Sequence, residues 1–415
     1  MSSRLSVVRR SIALLAVAAL AAACSDESGK GATTSATEVA DTVAPTSSSA
    51  PDTVVDTVPT TDPAPTSTDA PGGTYDFSEV AAIVEQFVAD NGLNGAGLVI
   101  VDREDGIVGE VYVGEFSADR VSLIASSSKM LTAGVLLRLQ DQGVLDLNTP
   151  IGELVPWAGD HPDITLAQMM SSSSGLVGLL PNPGYSPYVC QFIGTEMEAC
   201  AAEVLATDAD DADVVPPDTE FRYGGVQWQI AGAVAETVTG KTWAELLDET
   251  YLQPCGVDSL GYNNHWVPLG GGSFDYPQNF DPSQLPPTEN PHMEGGAYIN
   301  PVDYATLLLM HLRDGECPNG TVLSPEAVAQ SHADRIGEVW GGSADADTGY
   351  GLGWWVDRVS GRISDAGAYG SVPWLDMGNG LGAYLVIEAD SSTGNQLATL
   401  LYEPVEAAVL AGRAS

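Results

Sequence analysis

The sequence predicts a mixed α/β (α+β) fold: an antiparallel sheet flanked by helices, with a mostly helical second lobe beside it. Three observations carry this. Strand-like runs joined by a tight turn come early, helical runs fill the middle, and short strand-like runs return near the C-terminus. Hairpin-linked strands pair antiparallel, and helices segregated from such a sheet give an α+β layering.

In chain order, "FSEVAAIVEQFVADNG" (77–92) has apolar residues at helical spacing and stops at Gly92. "GAGLVIVDREDGIVGEVYVG" (95–114) is two strands about the turn Glu104-Asp105-Gly106. "KMLTAGVLLRLQDQG" (129–143) is a second helix. "GGVQWQIAGAVAETVTG" (224–240), "TWAELLDETYL" (242–252) and "NPVDYATLLLMHLRDG" (300–315) predict further helices. "GLGWWVD", "GRISDAG", "YGSVPWLD" and "GAYLVIEAD" are strand-like, and "QLATLLYEPVEAAVLAG" (396–412) closes as a helix. The N- and C-terminal runs are expected to share one sheet. The segments 177–220 and 262–294 are long for plain connectors and are expected to shape a cleft.

The N-terminus predicts export. Arg4, Arg9 and Arg10 precede the apolar run "SIALLAVAALAAA" (11–23), which is shorter than the roughly 20 residues of a membrane-spanning helix. Small residues then lead into Cys24, an arrangement that resembles the lipobox of bacterial lipoproteins. Residues 1–24 are therefore expected to be a lipoprotein signal peptide with Cys24 as the lipidated residue. Residues 25–74 are almost entirely Ser, Thr, Pro, Ala, Asp, Gly and Val. Such a segment cannot bury enough apolar surface to fold and is expected to be a tether. The folded domain is expected over 75–415, on the outer face of a cell membrane, with secretion as the alternative.

Composition excludes some functions. The chain has 415 residues and a formal charge of −41. A nucleic-acid partner needs a basic surface, which this chain lacks. No Cys/His cluster has metal-ligand spacing, so no metal and no cofactor are expected. Setting Cys24 aside leaves four cysteines. Cys190 with Cys200 and Cys255 with Cys317 are the natural pairs among three possible connectivities, in a compartment that permits disulfides.

The chemistry centres on "IASSSKMLTAG" (124–134). The chain has three lysines, Lys30, Lys129 and Lys241. Lys129 follows Ser126 by three residues, so on a helix the two share a face. A serine hydroxyl is a weak nucleophile until a neighbouring base takes its proton, and a neutral lysine can be that base. Ser127 and Ser128 lack the spacing and are expected to pack or cap. The acidic chain favours protonated Lys129, which burial, the helix N-terminus and screening must offset.

Four more segments follow in order: "MMSSSSGL" (169–176), "FRYGGVQWQIAGAVAETVTGKTWAELL" (221–247), "GGAYINPVDYATLLLMHLRDG" (295–315) and "YGLGWWVD" (350–357). This order and wording resemble the β-lactamase-related serine hydrolases, which include class C β-lactamases, DD-peptidases and esterases similar to them. The resemblance covers roughly 78–410. It implies that Ser126 is acylated, that Lys129 accepts or relays its proton, and that Tyr223 matches the tyrosine of the second motif, Tyr-x-Asn. The third motif aligns with Asp365-Ala366-Gly367, and the backbone N–H groups of Ser126 and Ala368 would form the oxyanion hole.

Two positions depart from the family. Gly225 stands where asparagine or serine is usual, removing a side-chain donor. Asp365 replaces the third motif's cation and, facing substrate, would repel a carboxylate. A small-molecule or peptide ester or amide, neutral or cationic, is therefore expected as substrate. Peptidase or amidase action on cell-wall peptides, and a non-catalytic ligand-binding lipoprotein, are the alternatives. Trp228, Trp243, Trp354 and Trp355 are expected in the core, His292 in the core or at the surface with a place bordering the site as the alternative, and Trp374 in either the core or the pocket. There is no Gly-x-Ser-x-Gly elbow.

Overall fold

The computed structural model describes residues 73–179, 186–192, 195–208, 211–265, 275–277, 280–337, 341–342 and 345–414. The signal peptide, Cys24 and all of the tether but its last two residues lie outside the described residues.

Seven strands form the main sheet: β1 (Gly95–Asp102), β2 (Gly106–Gly114), β3 (Thr348–Tyr350), β4 (Trp355–Asp357), β5 (Ile363–Ser364), β6 (Ser371–Asp376) and β7 (Leu381–Val386). Their order is β3-β4-β5-β6-β7-β1-β2, with every neighbouring pair antiparallel. β1 pairs with β7 from Gly97↔Val386 to Asp102↔Leu381, so the two ends of the domain share the sheet as expected. All eight residues of β1 are buried, which explains an unbroken apolar run where a one-sided strand would alternate.

Successive side chains of β1 point to opposite faces. Leu98 and Ile100 pack with Val80, Val84, Leu401 and Val405, which come from α1 (Ser78–Asn91) and the C-terminal helix Ser391–Arg413. Val99 and Val101 join the larger core of the helical lobe. That lobe contains α2 (Lys129–Asp141), α3 (Gln227–Thr239) and α4 (Pro301–Leu312); the C-terminal helix is α5. Each fully buried Leu or Ile is worth about 1.5–3 kcal/mol, so a strand buried on both faces anchors both layers. The Tyr304 ring of α4 stacks on Tyr384 of β7 with centroids 4.2 Å apart. Trp374 resolves to the core: it is 1% exposed and its ring meets Tyr402 of α5.

α5 begins five residues earlier than the apolar spacing predicts. Asp390 caps it by accepting the Thr393 N–H at 3.0 Å, and its first turn, Ser-Ser-Thr-Gly, carries no apolar signal. Both disulfides form as paired, Cys190–Cys200 and Cys255–Cys317, the bonding expected of an exported protein. Among the described residues no helix is long and apolar enough to cross a membrane.

Candidate active site

Ser126 lies in a 3₁₀ turn, Ala125–Ser128, that runs directly into α2. Three buried contacts pin this turn. Ser127 Oγ donates to the Asp365 carbonyl at 2.6 Å, Ser128 Oγ donates to the Ala125 carbonyl at 2.6 Å, and the Tyr304 hydroxyl donates to the Ser127 carbonyl at 2.9 Å. Ser127 and Ser128 are thus buried and hold the turn through their hydroxyls, and neither side chain caps α2. Ala125, the residue before Ser126, is held at φ +45°, a strained conformation for a residue with a Cβ.

Lys129 is fully buried. Its Nζ lies 3.0 Å from Ser126 Oγ, 3.1 Å from the Glu294 carbonyl and 3.2 Å from Glu294 Oε2. Three acceptors therefore meet the three protons of an ammonium. Burial by itself lowers the lysine pKa, but Tyr223, Glu294 and Asp365 outweigh it, and the net shift is upward. The expectation that burial offsets the acidic surroundings is overturned. The groups that raise it are local, Tyr223 first and then Glu294 and Asp365, rather than the overall charge of the chain.

Tyr223 follows the short strand Glu220–Phe221. Its ring centroid lies 4.8 Å from Lys129 Nζ. Burial raises the phenol pKa against the pull of Lys129 and a side-chain contact with Ser126, so Tyr223 holds its proton. Phe221, Tyr350 and Trp355 surround the ring, with the Trp355 centroid 4.8 Å away. Trp355 is partly exposed, so it borders the site rather than filling the core; Trp228, Trp243 and Trp354 are core, as expected. The serines of "MMSSSSGL" support this strand-to-helix connection. Arg222 N–H donates to the Ser172 carbonyl at 2.8 Å, and Ser174 Oγ donates to Gln227 Oε1 at 2.7 Å.

Sequence reasoning missed Glu294. Its Oε2 meets Lys129 and also accepts the Gly225 N–H at 2.8 Å. Burial raises a carboxyl pKa, but Lys129, His292 and that N–H outweigh it, and Glu294 is held below the ordinary glutamate range. Gly224 and Gly225 make this approach possible. Both have positive φ, +70° and +84°, and a Cβ on Gly224 would lie 2.7 Å from Glu294 Oε2. Gly225 therefore does not leave the lysine without a partner: its backbone donor holds a carboxylate there instead. His292 also belongs to the site. It is 2% exposed, its Nε2 is 3.8 Å from Glu294 Oε1, and burial lowers its pKa to about 4. The available sequence signal was an acidic residue inside an otherwise apolar, glycine-rich segment, directly before the quoted "GGAY".

The segment Asp365-Ala366-Gly367 sits against the Ala125–Ser128 turn, but Asp365 does not face outward. Asp365 is fully buried and its Oδ2 accepts the Met130 N–H at 3.0 Å, capping the start of α2 from another segment. Burial raises its carboxyl well above the ordinary range. Repulsion of a substrate carboxylate by Asp365 is thus corrected: the side chain turns inward because the helix N-terminus supplies its donor. Gly367 lets the segment approach, since a Cβ there would lie 2.0 Å from the Ile124 carbonyl. Gly367 N–H donates to the Ser371 carbonyl at 2.7 Å and Gly370 N–H to the Gly367 carbonyl at 3.1 Å. This turn carries Ala366 behind Gly367 and sets Ala368 in the apolar cluster that contains Ala125. Phe192, Tyr276 and Phe280 join that cluster from the two long segments. Among the described residues no group of acidic, His or Cys side chains could hold a metal.

The β-lactamase family model matches residues 80–403. Penicillin-binding protein 4 of Amycolatopsis lactamdurans is 26% identical over 306 residues, covering 69% of this chain and 76% of that protein. A candidate β-lactamase structure from Bacteroides dorei superposes with a TM-score of 0.60 at 26% identity, covering 79% of this chain and 99% of that one. EstCE1, a hydrolase with promiscuous acyltransferase activity, superposes with a TM-score of 0.65 at 19% identity, covering 80% and 98%, and shows the shared fold. The chain belongs to the β-lactamase family and is a serine hydrolase.

Proposed function

We propose that the protein hydrolyses an ester or amide through an acyl-enzyme on Ser126, with Lys129 and Tyr223 moving the protons. The observation that carries this reading is the Ser126 hydroxyl 3.0 Å from a fully buried lysine amine with the Tyr223 ring beside it. Ser126 Oγ bonds to the substrate carbonyl carbon as its proton passes to Lys129. The carbonyl electron pair moves onto oxygen between the N–H groups of Ser126 and Ala368. The pair then returns, the bond to the leaving group breaks, and Tyr223 supplies the leaving group's proton. Water attacks the acyl carbon by the reverse path and frees Ser126.

The third motif brings no cation to hold a substrate carboxylate, and the aromatic cluster beside Ala125 and Ala368 suits an apolar acyl group. Neutral esters are therefore expected to exceed penicillins and D-alanyl peptides as substrates. The test is turnover of p-nitrophenyl butyrate by the full chain, with benzylpenicillin and a D-alanyl-D-alanine peptide alongside. Ser126→Ala is expected to abolish all turnover. Activity that survives Ser126→Ala contradicts the reading.

Cys24 is proposed to carry the lipid that holds the enzyme at the outer face of the membrane. The basic, apolar and small-residue order before it supports this. Cys24→Ala is expected to shift the protein from the membrane fraction to the soluble fraction; an unchanged distribution removes the proposal.

A further inference from the structure

The proposed mechanism needs Lys129 to take a proton from Ser126, yet its amine is matched to three acceptors as an ammonium. A full ammonium must release one proton as it accepts another. Of the side chains around Nζ, Ser126 is the donor and Tyr223 retains its phenolic proton. Asp365 is not in contact with Nζ; its Oδ2 accepts the Met130 N–H, and burial pushes its carboxyl well above the ordinary range. His292 faces Glu294 rather than the lysine, and Tyr350 faces Tyr223. Among the described residues, Glu294 Oε2, 3.2 Å from Nζ and steadied by Gly225 N–H, is the one ionised base in contact.

We propose that Glu294 is a positioning residue that acts on Ser126 through Lys129, receiving one lysine proton as Lys129 receives the serine proton. The proposal rests on the Ser126 mechanism above. In the step, an Nζ–H bond first breaks as an Oε2–H bond forms, and the amine turns so that the freed lone pair faces Ser126. The Oγ–H bond then breaks and an Nζ–H bond forms again while Oγ bonds to the acyl carbon. Lys129 ends the step as an ammonium, and the serine proton is stored, in effect, on Glu294. When Tyr223 protonates the leaving group, the Glu294 proton returns through Lys129 to Tyr223. Glu294 with Gly225 thus fills the place of the second-motif asparagine with a proton-accepting group in place of an amide.

The chemistry distinguishes this role from simple support. Glutamine at 294 keeps the shape and can still accept the lysine hydrogen bond, but it cannot take the proton. Glu294→Gln is expected to lower kcat for p-nitrophenyl butyrate by about 100-fold with KM within about twofold, in the range of general acid–base effects. The acid limb of the wild-type kcat profile, set by protonation of Glu294, is expected to lie below the ordinary glutamate range and to disappear in Glu294→Gln. Glu294→Asp is expected to recover at least about tenfold of the loss and to retain an acid limb. For the wild type, rates in mixed light and heavy water are expected to curve with deuterium fraction, because two protons move. Wild-type kcat in Glu294→Gln, or a rise in kcat from a lysine freed of its counter-charge, overturns the proposal. If Glu294→Gln does not fold, a linear deuterium dependence in the wild type overturns it. Turnover that does not depend on Ser126 overturns the serine mechanism itself, whereas Ser126-dependent turnover indifferent to Glu294→Gln overturns the relay alone.

Discussion

Two buried carboxylates flank Lys129, and the structure treats them in opposite ways. On the second-motif side, Glu294 contacts the ammonium and a backbone N–H, and its pKa is lowered. On the third-motif side, Asp365 has the Met130 N–H on one oxygen and no partner on the other, and its pKa is raised well above the ordinary range. Both are nearly or fully excluded from solvent. Burial is common to both, so direct contact with the cation decides which one stays ionised. One carboxylate is equipped to exchange a proton with the nucleophile's lysine, while the other secures the helix that carries it.

Lys129→Met breaks the comparison most severely, because it removes the partner of one carboxylate and the field felt by both. It is expected to lower kcat by about four orders of magnitude, the upper range for a group in proton transfer. It also leaves Glu294 as an uncompensated buried charge, a destabilisation of about 3–5 kcal/mol that a denaturant melt would register. A folded variant of wild-type stability would mean that Glu294 is not held as an anion.

Gly224→Ala acts on one side only. Its Cβ would lie 2.7 Å from Glu294 Oε2 at a φ of +70°. It is expected to lower kcat about tenfold by displacing the carboxylate, with KM little changed. Unaltered kinetics would show that the close fit at Gly224 is irrelevant to the lysine.

Asp365→Asn is expected to have the smallest kinetic effect, with kcat within about threefold of wild type, because asparagine keeps an acceptor for Met130 N–H. Its effect appears in stability against pH. The folded pKa of Asp365 lies above its unfolded value, so its stabilisation is complete below the unfolded value and is lost as pH rises through the folded one. Asparagine has no such loss, so Asp365→Asn should gain on wild type as pH rises above about 4. Glu294 has the opposite sign: its depressed pKa gives stability above the unfolded value, lost as pH falls through the folded one. A melt series in which Asp365→Asn loses ground with rising pH would reverse the assignment.

What the sequence made legible was local. The hairpin of β1 and β2 around its turn, the helical runs and the three-residue step from Ser126 to Lys129 depend on neighbours in the chain. The glycines at 224, 225 and 367 were visible as motif positions, but not as the clearances that admit a carboxylate and the Ile124 carbonyl. Glu294 meets Lys129 from 165 positions away, and no periodicity encodes such a meeting. Asp365 was expected to face substrate, but its direction depends on the Met130 N–H at the start of α2, which it accepts. His292 and Trp355 were placed in bland settings for the same reason: apolar spacing reports burial, not which buried face borders a reacting group.

The most direct test of the account is to treat the full chain with a fluorophosphonate and map the modified peptide by mass spectrometry, with Ser126→Ala in parallel. The account predicts one adduct, on the peptide containing Ser126, and none in the variant. A folded wild type that takes up no probe, or an adduct that persists in Ser126→Ala, would contradict it.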